Sequence, residues 1–80
     1  MQIKDAVAAC FRRICYERNI SFNDLAVRSG VTPSTVYSLM DSRRRSVSVS
    51  TIKKLCDGLE ISVRDFFSAT EFDRLEQEIQ

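Results

Sequence analysis

Hydroxyl and guanidinium side chains are concentrated in one part of the chain, between residues 32 and 45. Ser34 and Ser38 lie on the polar side of a short helical segment, and Arg43–Arg45 follow it directly. Hydroxyl groups donate and accept hydrogen bonds, and guanidinium groups hold phosphate or carboxylate oxygens in charge-assisted pairs. The chemistry available here is therefore recognition of a polar, negatively charged surface.

The residues that enzymes and metal sites need are scarce. Histidine is absent, so the commonest general base and metal ligand is missing, and no nucleophile–base pair or Gly-rich phosphate loop occurs. Cys10, Cys15 and Cys56 are odd in number and cannot supply the four ligands of a zinc site. We predict three buried free thiols in a reducing cytoplasm, no metal or cofactor, and no enzymatic activity.

The net charge of +1 conceals two halves of opposite sign. Residues 1–58 carry ten cationic and five acidic side chains, whereas residues 59–80 carry two and six. The first part could attract a polyanion, although two ordinary solvated surfaces of opposite charge fit the numbers equally well. No apolar run approaches a membrane span of about 20 residues, and residues 1–5 do not resemble the start of a signal peptide.

The spacing of apolar residues predicts one small all-α domain over residues 1–69 and a short helical tail over residues 70–80. The predicted helices cover about 3–18, 22–29, 33–40 and 51–58, followed by a short fifth helix that begins after Ser62. In the tail, Phe72, Leu75 and Ile79 form one narrow apolar stripe.

Capping residues mark where these helices begin and end. Asn19 and Gly30 suit the left-handed conformation at a helix C-terminus. Ser21 with Asp24 predicts a capping box, and Thr32 followed by Pro33 predicts an N-cap with proline at the first helical position. Ser50 and Ser62 are the predicted caps of the fourth and fifth helices.

The second and third helices, joined by a glycine turn, form the pattern of a helix-turn-helix. Ala26 is small where two helices cross closely, and Val31 and Val36 hold the second helix of the pair against the first. The pattern alone is only suggestive, because any antiparallel helix pair needs a small residue and a glycine.

The residues themselves carry a closer resemblance. Residues 20–26 (ISFNDLA) and 30–39 (GVTPSTVYSL) resemble the helix-turn-helix of the Cro/phage-repressor (XRE-type) family, and residues 51–62 with Phe66 and Phe67 resemble its fourth and fifth helices. The match runs without gaps from about Val7 to Phe67. It implies a five-helix, sequence-specific DNA-binding domain of a bacterial or phage transcriptional regulator, and we favour a repressor.

The resemblance also implies roles for individual residues, because the family places its third helix in the major groove. The side chains expected to contact bases are Pro33, Ser34, Tyr37 and Ser38. Those expected to contact phosphates are Ser21, Asn23, Thr32, Thr35, Arg43, Arg44 and Arg45. Phe22 stands where family members commonly carry a phosphate-binding glutamine. The alternative for Ser34, Thr35 and Ser38 is an ordinary solvated helix face, and for Arg43–Arg45 it is a solvated loop. For Tyr37 the alternative is partial packing over the core with its hydroxyl in water.

Double-stranded DNA is the expected partner, with no membrane and no small-molecule ligand. The tail stripe either covers the domain's own apolar surface or pairs with a second copy, and we favour a homodimer. A second hypothesis for function is a protein-interaction module, an antitoxin or adaptor, whose acidic tail binds a partner.

Overall fold

The computed structural model describes residues 1–79, which fold into five α-helices followed by a 3-10 helix. The helices are α1 (Ile3–Arg18), α2 (Phe22–Ser29), α3 (Pro33–Met40), α4 (Val49–Gly58), α5 (Val63–Phe67) and the 3-10 helix Thr70–Arg74. The all-α class is confirmed, and the first three helices have the predicted bounds. No helix within residues 1–79 is long and apolar enough to cross a membrane.

The predicted caps mark where α1 and α2 end and where α2 and α3 begin. Asn19 and Gly30 adopt left-handed conformations, with φ of 55° and 69°, and end α1 and α2. The hydroxyl of Ser21 accepts from the backbone N–H of Asp24, whose carboxylate accepts from the N–H of Ser21, so the capping box is confirmed. Thr32 caps α3.

The predicted start of α4 is wrong by two residues. Its cap is Ser48, whose Oγ accepts from the backbone N–H of Thr51 at 3.1 Å, and Ser50 lies inside the first turn. Both serines are good caps, so local propensity could not choose between them. The choice follows from Val47, which packs against the core that contains Ile52 and fixes the direction in which the chain enters α4.

One hydrophobic core joins all five α-helices. Its aromatic centre is Phe11, whose ring stacks on Phe66 with centroids 4.3 Å apart. The three cysteines are free and buried, as predicted, and burial raises the pKa of Cys10 and Cys15 and raises that of Cys56 to about 11. The buried members are Val7, Cys10, Phe11, Cys15, Leu25, Ala26, Val36, Leu39, Ile52, Leu55, Cys56, Leu59 and Phe66.

The tail is not the continuous helix that its apolar spacing predicted. The 3-10 helix ends at Arg74, residues 75–79 have no regular secondary structure, and Gln80 lies outside the described residues. An isolated helix this short is marginal in water, so tertiary contacts decide its shape. Phe72 packs on Phe66 and Phe67, with centroids 5.5 and 4.9 Å apart.

Polar contacts hold the tail against α1. Arg13 pairs with Glu71, and the backbone N–H of Glu76 donates to the Met1 carbonyl at 2.9 Å. The carboxylate of Glu78 accepts from the backbone N–H of Ile3 at 3.2 Å, at the start of α1. The tail thus runs back along the first helix.

Candidate nucleic-acid interface

Helix α3 has one buried and one exposed side. Val36 and Leu39 are 0% and 3% exposed, whereas Pro33, Ser34 and Tyr37 are exposed and Ser38 is half-buried. The predicted separation of the two faces is confirmed. At 1.5 Å per residue the helix is about 12 Å long, which matches the width of the major groove of B-DNA.

Hydroxyl groups cluster at the N-terminus of α3. Thr32 Oγ1 lies 3.0 Å from Ser34 Oγ and 3.0 Å from Thr35 Oγ1. The side chain of Thr32 also accepts from the Thr35 backbone N–H. These contacts fix the direction of the three hydroxyls relative to the helix axis, so the first turn of α3 presents an ordered set of donors and acceptors.

Tyr37 is held by a residue that sequence reasoning did not connect with it. Its ring meets that of Phe22 edge to face, with centroids 5.9 Å apart, while 53% of the residue remains exposed. Phe22 is the first residue of α2, so this pair links the N-terminus of α2 to the outer side of α3. The sequence did offer one indication of this contact: Phe22 is aromatic at a position where the Cro/phage-repressor family commonly has glutamine.

Ser21 and Asn23 are exposed at the N-terminus of α2, as expected for phosphate contacts. The Ser21 hydroxyl accepts from the backbone N–H of Asp24 at 3.0 Å and keeps its own O–H as a donor. The Asp24 carboxylate places a negative charge at this helix end, beside both residues.

The loop between α3 and α4, residues 41–48, is called the arginine loop below. All three arginines are exposed, but their charges are not equally available. The guanidinium of Arg43 donates to both carboxylate oxygens of Asp41, at 3.0 and 3.1 Å, and its backbone N–H donates to the same group at 2.9 Å. Arg45 donates to the Ser42 carbonyl and to Gln2 Oε1, and Arg44 has no side-chain partner within residues 1–79.

An open cleft of about 330 Å³ lies between α3, the arginine loop and the start of α4. It brings together hydroxyls and arginines from the predicted site and adds hydroxyls that sequence reasoning missed. The alternating serines of residues 46–50 were the available signal. The polar residues that line the cleft are Ser34, Thr35, Ser38, Arg44, Arg45, Ser46, Ser48 and Thr51.

Two cations of residues 1–58 donate to backbone carbonyls at the C-terminal ends of helices. Lys4 is 3% exposed, and its Nζ donates to the backbone carbonyl of Asp41 at 2.5 Å. Arg18 donates to the carbonyl of Leu59 at 2.6 Å. Asp41 and Leu59 are the C-caps of α3 and α4, two helices without a basic residue in their last turn. These two of the ten cations of residues 1–58 thus donate to backbone carbonyls at helix ends.

The Arg43–Asp41 pair gives a pH prediction. Hydrogen bonds from Arg43 lower the pKa of the Asp41 carboxyl from 3.8 to about 2. Because this pKa is depressed in the folded chain, the pair is intact above about pH 4 and is lost as the pH falls through 2. We expect a carboxyl ¹³C NMR titration of Asp41 to show a midpoint near 2.

The matched variants for that titration are Arg43→Ala and Arg44→Ala. Arg43→Ala should move the Asp41 midpoint back towards 3.8, whereas Arg44→Ala should leave it near 2, since Arg44 acts only weakly and through space. Equal midpoints in the two variants would contradict a specific Arg43–Asp41 pair.

A short polar-faced helix, joined to another through a glycine turn and flanked by a cationic loop, is the arrangement found in helix-turn-helix DNA-binding domains. The sequence model of the Cro/C1-type HTH DNA-binding domain matches residues 11–71, and the chain belongs to this family. The resemblance seen in the sequence is thereby confirmed. The residue-level contacts with bases and phosphates stay predictions.

A solved structure shares the fold. Prophage Lp1 protein 11 is similar to this chain with a TM-score of 0.80 and 28% sequence identity, over 94% of this chain and 100% of that one. No curated protein matches the chain. Residues 1–79 contain no group of three or more His, Cys, Asp and Glu side chains that could hold a metal ion.

Proposed function

We propose that this protein is a sequence-specific transcriptional repressor that inserts α3 into the major groove of its operator. The observation that carries the proposal is the orientation of α3, whose apolar side is buried and whose hydroxyl-bearing side is exposed beside the arginine loop. Repression requires only that the bound chain occupy the duplex, whereas activation requires a further contact with the transcription machinery. We place the protein in the cytoplasm, where bacterial or phage operators are found.

In this proposal Ser34 and Ser38 hydrogen-bond to base edges, and Pro33 contacts thymine methyl groups. Serine accepts and donates through a single hydroxyl, so it lacks the bidentate base contact that arginine or glutamine makes. Tyr37, braced by Phe22, adds a rigid aromatic surface at the edge of the groove. Sequence-dependent DNA shape contributes the remaining specificity.

Phosphate contacts position the helix in the groove and carry no direct sequence information. The arginine loop supplies the three cationic contacts, with Arg44 and Arg45 lining the cleft beside α3 and Arg43 held on Asp41. Thr32 and Thr35 at the start of α3, and Ser21 and Asn23 at the start of α2, complete the set.

The test is selection of bound duplexes from a random pool, followed by variants of α3. We expect one preferred sequence for the parent chain. Ser34→Ala and Ser38→Ala should shift the preference at one or two base pairs, by about 1–3 kcal/mol each, because only the base contacts change. Ser68→Ala, an exposed serine beyond α5, is the matched control and should select the parent sequence.

The result also separates the two classes of function. Loss of all duplex binding in a gel shift, even at low salt, would refute the proposal and favour the protein-interaction hypothesis. Equal loss on every DNA sequence from Ser34→Ala would show that α3 holds the backbone and does not read bases.

We further propose that the operator is bound by a homodimer through an apolar surface at the start of α1. Hydrogen bonds join the tail to the start of α1: the backbone N–H of Glu76 donates to the Met1 carbonyl, and the Glu78 carboxylate accepts from the N–H of Ile3. Met1, Ile3, Leu75 and Ile79 are 46%, 44%, 38% and 83% exposed. These exposed apolar side chains support pairing with a second copy, because Phe72 is the one residue of the tail stripe that packs against the chain's own core.

Truncation after Arg74 tests the dimer without removing Phe72 or Glu71 from the fold. We expect the truncated chain to keep its helical circular dichroism spectrum, to sediment as a monomer and to bind a two-fold operator more weakly. Unchanged sedimentation and unchanged affinity would refute a dimer that depends on residues 75–80.

A further inference from the structure

We propose that Lys4, which lies outside the predicted interface, is a positioning residue for DNA binding that fixes the arginine loop relative to α3. This inference rests on the proposed DNA-binding function. Lys4 is 3% exposed, so it is not itself placed to reach a phosphate. It is also the one charged residue that is buried within residues 1–79. A buried ammonium group is costly unless it is hydrogen-bonded, so the hydrogen bond of Lys4 Nζ is needed to offset the cost of burying its charge.

The contact is made at the junction between α3 and the arginine loop. Lys4 Nζ donates to the carbonyl oxygen of Asp41 at 2.5 Å, and the backbone N–H of Arg44 donates to that same oxygen at 3.0 Å. Asp41 is the C-cap of α3 and has an extended conformation, with no left-handed residue to complete the helix end. The ammonium therefore supplies the positive charge that a helix C-terminus favours and fixes the direction of the Asp41 peptide.

From Asp41 the constraint passes to the arginines. Its carboxylate accepts from the backbone N–H and from the guanidinium of Arg43, and its carbonyl accepts from the N–H of Arg44. The third arginine is held from the N-cap of α1, since Gln2 Oε1 accepts from Arg45 Nη1 at 3.3 Å. The first turn of α1 thus fixes the start of the arginine loop, which lies 37 residues away in sequence from Lys4.

This arrangement matters for binding because flexible cations lose conformational entropy when they dock on phosphates. A loop that is already fixed beside α3 loses less conformational entropy on binding, and its phosphate contacts form together with the contacts of α3. Loss of Lys4 frees the Asp41 peptide, so fewer guanidinium groups meet phosphates at the same time. Affinity and its salt dependence should then both fall, although Lys4 does not touch DNA.

The experiment compares Lys4→Met with Arg18→Met. Each variant removes one α1 cation that donates to a C-cap carbonyl, of α3 and α4 respectively, but only Lys4 adjoins the arginine loop. We expect Lys4→Met to bind duplex DNA about tenfold more weakly and to flatten the salt slope by about 0.9–1.8, equivalent to one or two phosphate contacts. Arg18→Met should keep the parent slope. Equal slopes in both variants would overturn the proposal.

A second measurement uses the free chain and needs no DNA. Hydrogen exchange of the Arg43 Nε–H and of the Arg44 amide should become at least about tenfold faster in Lys4→Met and stay unchanged in Arg18→Met. Unchanged exchange in Lys4→Met would overturn the positioning role even if DNA binding were weakened. If Lys4→Met does not fold, Lys4→Gln, which keeps a polar side chain too short for the contact, takes its place in both measurements.

The two readouts separate this inference from the proposed function. If the parent chain binds no duplex, the proposed function fails. If the parent binds a preferred sequence and the Lys4 variants show the same salt slope and hydrogen exchange as Arg18→Met, the proposed function stands and the positioning role is refuted.

Discussion

Replacing Arg43, Arg44 and Arg45 together by alanine is expected to weaken binding to every DNA sequence by about ten- to hundredfold near 0.1 M salt. Each neutralised phosphate releases counterions, so the loss of up to three contacts flattens the logarithmic salt slope by up to about 2.7. The preferred operator should not change, because these side chains hold the backbone and leave base recognition to α3. Fluorescence anisotropy on specific and random duplexes, at several salt concentrations, gives both quantities.

The single variants test a finer point. Arg43 is paired with Asp41, whereas Arg44 has no side-chain partner within residues 1–79 and lines the cleft beside α3. We therefore expect Arg44→Ala to flatten the salt slope more than Arg43→Ala does. A changed operator preference in the triple variant would contradict the division between backbone and base contacts.

Gly58→Ala is expected to destabilise the fold by about 3 kcal/mol, at the upper end of the usual cost of overpacking. A methyl group on Gly58 would lie 2.2 Å from Ser29 Oγ and 2.9 Å from the backbone N and Cα of Ser29. The hydroxyl could rotate away, but the backbone of α2 could not. An 80-residue domain has a total stability of roughly 4–12 kcal/mol, so the loss is large. Urea unfolding followed by circular dichroism measures it.

Gly30→Ala is the matched control for this prediction. Gly30 has φ of 69°, but no atom lies within 4 Å of the added methyl group. Its cost is backbone strain alone, about 1–2 kcal/mol. Ser29→Ala combined with Gly58→Ala should recover only part of the loss, because the backbone contact persists. An unfolding midpoint for Gly58→Ala equal to that of the parent would refute the close crossing of α2 and α4.

The two glycines show where sequence analysis succeeds and where it stops. Gly30 follows a helical segment and precedes Thr32–Pro33, so its role as a left-handed cap could be predicted from its neighbours. Gly58 also stands at the end of a helix, and nothing within several residues distinguishes it. Glycine is required at position 58 because Ser29 lies against it, and only the packing of α2 on α4 brings the two residues together.

The candidate site divides in the same way. The exposed hydroxyls of α3 follow from the helical spacing of Val36 and Leu39, which sets the buried side. The pairing of Tyr37 with Phe22 joins two helices and could not be read from either one. The arginines were visible as a run of three, but the partner of Arg45 at the N-cap of α1, Gln2, was not.

The amino-acid sequence by itself determined the bounds of the first three helices, most of the caps and the family, because contacts and residue patterns within a few positions specify these features. Only the tertiary structure decided which cations are exposed, where the tail runs and why α4 ends in glycine. Those outcomes depend on contacts such as Lys4 with Asp41 and Arg13 with Glu71, whose partners lie 37 and 58 residues apart. Such partners are set by how the helices dock, and docking depends on the shape of the whole core.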